Sequence, residues 1–290
     1  MTELIDRFEA ISDRYDAAFV DLWGCYHNGL TPYPAALEAL RRYRATGGIA
    51  ILLTNAPRPA EGVARFLAGI GAPSDTHDGI MSSGEACQRA MAAGTYGRRY
   101  HYVGPPRDLG MLHDLGFEDT PAEEADAVLL VGFEDDVNET PATYDARIAL
   151  WRARKMPVLC ANPDVIVDRG EERLWCAGAI AQRHEEQGGR VIWYGKPHAP
   201  SYEAAFALLS ELSGREIPRE RIIGIGDGLH TDCDGAHAQG MDSLFISGGI
   251  AAADVASVDH PDPDHPDPAR LADLVAQKAQ PPRFAMGRFR

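Results

Sequence analysis

The chain has 290 residues, about twice the usual length of one domain, so two domains are expected. With 45% hydrophobic and 24% charged residues it has the make-up of a folded protein, which excludes bulk disorder. Its 28 basic and 43 acidic residues give a net charge of −15, which argues against a sequence-independent grip on nucleic acid or anionic lipid. Any anionic substrate must then be held by a local positive site.

Taken in chain order, the sequence opens with the polar, charged segment MTELIDRFEAISDRYD, which predicts no secretory leader. The run AAFV at 17–20 reads as a first buried strand, followed by helical periodicity over 34–44 and a second strand over 49–53. A helix is predicted over 85–93, a strand over 128–131, a helix over 144–154, and strands over 158–160 and 191–193. Then come a helix over 201–213, a strand over 222–225, a helix over 231–240 and a strand over 243–246. Strands that lack polar alternation and are each followed by a helix predict an α/β fold with a parallel sheet covered on both faces. The segment HPDPDHPDP, His260–Pro268, has two histidines among aspartates but reads as a stiff, solvated loop before a last helix over 269–277. The tail PPRFAMGRFR is basic and reads as extended. No apolar stretch approaches the roughly 20 residues of a membrane span. Five scattered cysteines (Cys25, Cys87, Cys160, Cys176, Cys233), with no CxxC pair, predict neither a disulfide scaffold nor a structural zinc site and suit a reducing cytoplasm.

Ligands of open parallel sheets bind at the carboxyl ends of the strands, so the residue that ends each apolar run is the informative one. The first run ends in Asp21-Leu22-Trp23-Gly24, the second in Thr54-Asn55, a later one in Tyr194-Gly195-Lys196-Pro197, and the next in Gly226-Asp227 followed by Thr231-Asp232. Singly, each has a bland explanation: a turn-forming aspartate, a strand-to-loop exit, a solvated surface lysine, a glycine-rich turn with a helix cap. Together they suit phosphoryl transfer. Carboxylates at one rim can hold Mg²⁺, a lysine beside a hydroxyl and an amide can neutralise and orient phosphate oxygens, and an aspartate can attack phosphorus.

The order Asp21, Thr54-Asn55, Lys196 and Asp227…Asp232 resembles the four motifs of the haloacid dehalogenase-like hydrolase superfamily. Ser83-Gly84-Glu85-Ala86, AVLLVG ending at Gly132, Thr143-Tyr144, Ala161-Asn162-Pro163-Asp164 and Gly195-Lys196-Pro197 resemble its subfamily IIA, and the similarity runs from about 17 to 249. The resemblance implies a Rossmann-like parallel-sheet core from residues 1–82 and 192–290, with an inserted α/β cap domain at 83–191. It implies Asp21 as nucleophile and Mg²⁺ ligand, the backbone carbonyl of Trp23 and the side chain of Asp227 as further ligands, and Asp232 as an acid that orients water at the metal. Thr54 and Asn55 would bind the phosphate, Lys196 would hold the charge of phosphate and nucleophile, and Asn162 and Asp164 in the cap would contact the substrate. The implied protein is a Mg²⁺-dependent cytoplasmic phosphatase for a small phosphorylated metabolite, with a homodimer as its implied assembly.

One position departs from the family pattern. Phosphatases of the superfamily usually carry a second aspartate two residues after the nucleophile, as general acid, and here that residue is Trp23. Loss of general acid–base help typically costs about 10²–10⁴-fold. His27, His198 and His230 are the histidines near enough in sequence to stand in, and Cys25 is a weaker nucleophile candidate than Asp21. The competing readings are a non-catalytic protein that keeps the phosphate-and-metal cup, and C–P or C–halogen cleavage within the same superfamily.

Overall fold

The computed structural model describes residues 2–169, 172–257 and 261–290, with the backbone alone at 168–169 and 172–173. His260 of the proline-rich segment lies outside the described residues. In chain order the strands are β1 (Glu3–Leu4), β2 (Ala17–Val20), β3 (Ile49–Thr54), β4 (Gly79–Ser82), β5 (Tyr100–Val103), β6 (Ala127–Leu130), β7 (Val158–Cys160), β8 (Ile166–Arg169), β9 (Glu172–Trp175), β10 (Val191–Trp193), β11 (Ile222–Gly226), β12 (Asp242–Ile246) and β13 (Phe284–Met286). The larger sheet has the order β1-β13-β12-β11-β2-β3-β4, and its pairings from β1 through β3 are parallel. A second, parallel sheet has the order β10-β7-β6-β5, and β8 and β9 pair antiparallel as a separate two-stranded sheet.

The central strands β2, β11 and β6 are buried at every residue, as expected of strands covered on both faces. Contacts divide the chain into two compact units. The first comprises residues 1–54, 64–81 and 205–290; the second comprises 55–63 and 82–204. Because β10 pairs with β7, the division expected at 191/192 runs through a strand of the second unit's sheet. The core of that unit is built on Val128, Leu130, Phe133, Trp151, Val158 and Ile180.

Local sequence explains several helix starts. Helix Pro34–Ala45 starts with proline at its first position, where the missing N–H costs nothing. Helix Ser83–Ala92 starts at Ser82, whose side chain accepts the Glu85 N–H, and helix Pro268–Ala276 starts at Asp267, which accepts from Ala269 and Arg270. The single helix expected over 231–240 is instead a π-helical turn, Leu229–Cys233, followed by helix Asp234–Ala238. The extended tail contains β13, wholly buried between β12 and β1. Among the described residues, no helix is long and apolar enough to cross a membrane.

Candidate active site

In the first unit, β2 and β11 are sheet neighbours, so the residues that follow them emerge side by side. Asp21 follows β2, and its N–H donates to the Ile225 carbonyl at 2.8 Å. Asp227 follows β11. Both carboxylates are buried, and a ligand atom of each lies within 4.8 Å of the other and of the Cys25 sulfur. Asp227 is oriented by backbone: its Oδ2 accepts the Ile250 N–H at 2.9 Å, and a Cβ on either Gly24 or Gly249 would overlap its carboxylate. Gly24 also has φ +75°, a conformation that disfavours side chains, so two constraints require glycine there. Two carboxylates fixed at adjacent strand ends, with hard oxygen donors, fit Mg²⁺.

Asp232 lies outside that three-residue group. It sits on the π turn, where its Oδ2 accepts the Gly228 N–H at 3.0 Å and the Thr231 hydroxyl at 3.2 Å. A π turn supplies an irregular helix start of the kind often found at functional sites.

Trp23 is half-exposed. Its six-membered ring lies against Gly29, and it meets His27 edge-on with ring centroids 5.5 Å apart. His27 is buried among Trp23, Tyr26 and Phe66, and its Nδ1 accepts the Gly29 N–H at 2.9 Å. Burial lowers its pKa to about 4, so the ring is neutral at ordinary pH and a poor proton donor. His230 is solvent-exposed and held by Lys278 at 2.9 Å. His198 stacks on Trp193 at 5.3 Å, and burial lowers its pKa as well.

The second unit gathers the remaining candidates. Lys196 is buried at 4% exposure, against the surface placement a lone lysine would suggest. Asn55 accepts the Lys196 N–H at 2.7 Å and donates to the Lys196 carbonyl at 3.2 Å and to Asp164 Oδ1 at 2.8 Å. Asn162 turns back on the same loop, its Oδ1 accepting the Asp164 N–H at 3.1 Å. Asn55, Asn162, Asp164 and Lys196 therefore form one cluster. Thr54, the last residue of β3, belongs to the first unit. Sequence reasoning missed Cys25 as a neighbour of the two carboxylates and the Gly249-Ile250 backbone that orients Asp227. The only sequence signal for the latter was the Gly248-Gly249 pair following β12.

Comparison with known proteins decides the lineage of this arrangement. A model of haloacid dehalogenase-like hydrolases matches residues 18–118, and a HAD-hydrolase-like model matches residues 193–275. A crystal structure of a haloacid dehalogenase-like family hydrolase from Brucella suis 1330 is 38% identical, with a TM-score of 0.81, over 99% of this chain and 100% of that one. The chain belongs to the haloacid dehalogenase-like hydrolase family. The family's α/β fold, with a large parallel sheet, is the one described above. A 4-nitrophenylphosphatase from Thermotoga maritima shares the fold at 22% identity and a TM-score of 0.71, over 96% of each chain. A D-glycerol 3-phosphate phosphatase of Mycobacterium tuberculosis is 26% identical over 252 residues, which are 84% of this chain and 66% of that relative's length.

Proposed function

We propose that the protein is a Mg²⁺-dependent phosphatase that hydrolyses a small phosphorylated metabolite through an aspartyl-phosphate on Asp21. The observation that carries this reading is the pair of buried carboxylates, Asp21 and Asp227, held within 4.8 Å of each other at the ends of neighbouring strands. Family membership and the phosphatases among its relatives support it.

In this reading Asp21, Asp227 and the Trp23 carbonyl hold Mg²⁺, which neutralises phosphate charge when bound. An Asp21 carboxylate oxygen attacks phosphorus, the phosphorus–oxygen ester bond breaks, and the leaving oxygen keeps the electron pair and takes its proton from solvent. Water then attacks the phosphoryl group, releasing orthophosphate and restoring the carboxylate. Thr54 and Lys196 bind and neutralise the phosphoryl oxygens, and Asp232 orients water. The inserted segment from 83 to the end of β10 at 193, with Asn162 and Asp164, acts as the cap that selects the substrate, and the protein works as a cytoplasmic homodimer.

Trp23 favours a second reading, a phosphate-ligand-binding protein without turnover, because it brings no proton to the leaving group. A Mg²⁺-dependent screen across aryl, acyl, sugar and nucleotide phosphates separates the two. Turnover of any of them, abolished in Asp21→Asn, supports the enzyme. Stabilisation by orthophosphate without turnover of any ester supports the binding protein.

A further inference from the structure

Asn55 would be expected to meet the phosphate with its side-chain amide, since it follows Thr54 at the end of β3. Its geometry says otherwise. A carboxamide has two N–H donors. Both are spent within the second unit, one on Asp164 Oδ1 at 2.8 Å and one on the Lys196 carbonyl at 3.2 Å. Its oxygen accepts the Lys196 N–H at 2.7 Å. One buried side chain thus holds both backbone polar groups of Lys196 and joins them to an acid 109 residues away.

The segments it joins are fixed in their own right. Asp164 is set by the Asn162 turn and by the Gly178 N–H, which donates to its carbonyl at 3.0 Å. Gly195 has φ +112°, a Cβ on it would collide with the Pro163 ring, and its N–H donates to the Ser201 hydroxyl. The Asn-Pro-Asp turn and the Gly-Lys loop are therefore in van der Waals contact, with the Asn55 carboxamide as their polar link.

We propose that Asn55 is a positioning residue: its carboxamide clamps the Lys196 peptide to Asp164, and it serves phosphate binding through the lysine rather than by its own side-chain contact. The inference rests on the phosphatase reading for what Lys196 binds. It makes Asp164 a support of the lysine as well as part of the cap loop.

The test compares wild type, Asn55→Asp, Asp164→Ala and the exchange Asn55→Asp/Asp164→Asn. Orthophosphate affinity is measured by calorimetry with Mg²⁺ present, together with kcat and KM for an aryl phosphate and the melting temperature. Asp164→Ala removes a negative charge, so simple electrostatics predicts tighter orthophosphate binding. The clamp predicts weaker binding, by about tenfold or more, because the lysine loses its support. Asn55→Asp should also weaken binding and lower kcat, since its carboxylate faces Asp164. The exchange restores the net charge and two of the three hydrogen bonds, with the carboxamide at position 164 now the donor, and should recover most of the loss. Tighter or unchanged binding in Asp164→Ala, or an exchange variant no better than Asn55→Asp, would overturn the clamp. Should Asn55→Asp fail to fold, Asp164→Ala and the exchange decide alone. A wild type that binds orthophosphate but turns over no ester would sink the phosphatase reading while leaving the clamp testable by binding; one that neither binds nor turns over would overturn both.

Discussion

At the scale of single residues, position 23 sets what the site can do. In the proposed phosphatase an indole at the place of the usual acid would leave the leaving oxygen to be protonated by solvent, and His27, which packs against Trp23, is neutral and already uses Nδ1 to accept from Gly29. Esters with good leaving groups should suffer least. We therefore expect aryl or acyl phosphates to react faster than alkyl phosphates by up to about 10²–10⁴-fold, measured as kcat/KM on matched pairs. Trp23→Asp should narrow that gap. Equal rates on both ester classes in the wild type would mean that another group supplies the proton. Asp227 permits a separate check. Mg²⁺ should raise the melting temperature of the wild type, and Asp227→Asn should largely remove that rise, because a fixed anionic ligand becomes a weaker neutral one. An unchanged response would remove Asp227 from the metal site.

At the scale of elements, strand β13 makes the sharpest stability prediction. Phe284 is fully buried, paired in register with Leu244 of β12 and Glu3 of β1, and flanked by the guanidinium groups of Arg14 and Arg283 at 5.6 and 5.4 Å. Phe284→Ala should cost about 3–5 kcal/mol in urea unfolding, and a loss near zero would show that the tail is not part of the sheet. This strand was not legible in the sequence: three residues between Arg283 and Gly287 give no period, and their burial comes only from pairing partners far away in the chain. The central strands were legible because uninterrupted apolar runs such as AAFV and IIGI have no other good place than the middle of a sheet. The same logic located Asp21, Thr54 and Asp227, since each ends such a run. Cys25 and Gly249 could not be found that way. Their relation to Asp227 depends on how closely two loops approach, which no local pattern records. Helical spacing over 231–240 predicts an ordinary helix, and the wider π turn at Leu229–Cys233 is instead marked by the Cys233 N–H, which donates to the Gly228 carbonyl five residues earlier at 3.2 Å.

At the scale of the whole molecule, buried histidines tie stability to pH. Burial lowers the pKa of His27 to about 4 and also lowers those of His184 and His237 below the usual value. A histidine that is harder to protonate in the folded chain than in the unfolded one favours folding above its free pKa near 6.5, and that contribution is lost as pH falls towards the folded value. The melting temperature should therefore hold steady from about pH 8 to 7 and fall from about 6.5 to 4. His27→Gln, which keeps an acceptor for the Gly29 N–H, should flatten part of that slope; an identical slope would show that His27 is not buried neutral. The net charge of −15 also bears on the proposed function at this scale: a field of that sign would repel phosphate esters, and in that reading the buried Lys196 would supply the local attraction. The proposed function stands on covalent chemistry at Asp21. Its most direct test is rapid-quench mass spectrometry of the protein mixed with Mg²⁺ and an aryl phosphate. A species one phosphoryl group heavier is expected, localised to the peptide that contains Asp21 and absent from Asp21→Asn. Steady turnover of the ester with no phosphorylated protein at any time, or a phosphoryl group on another residue, would contradict it.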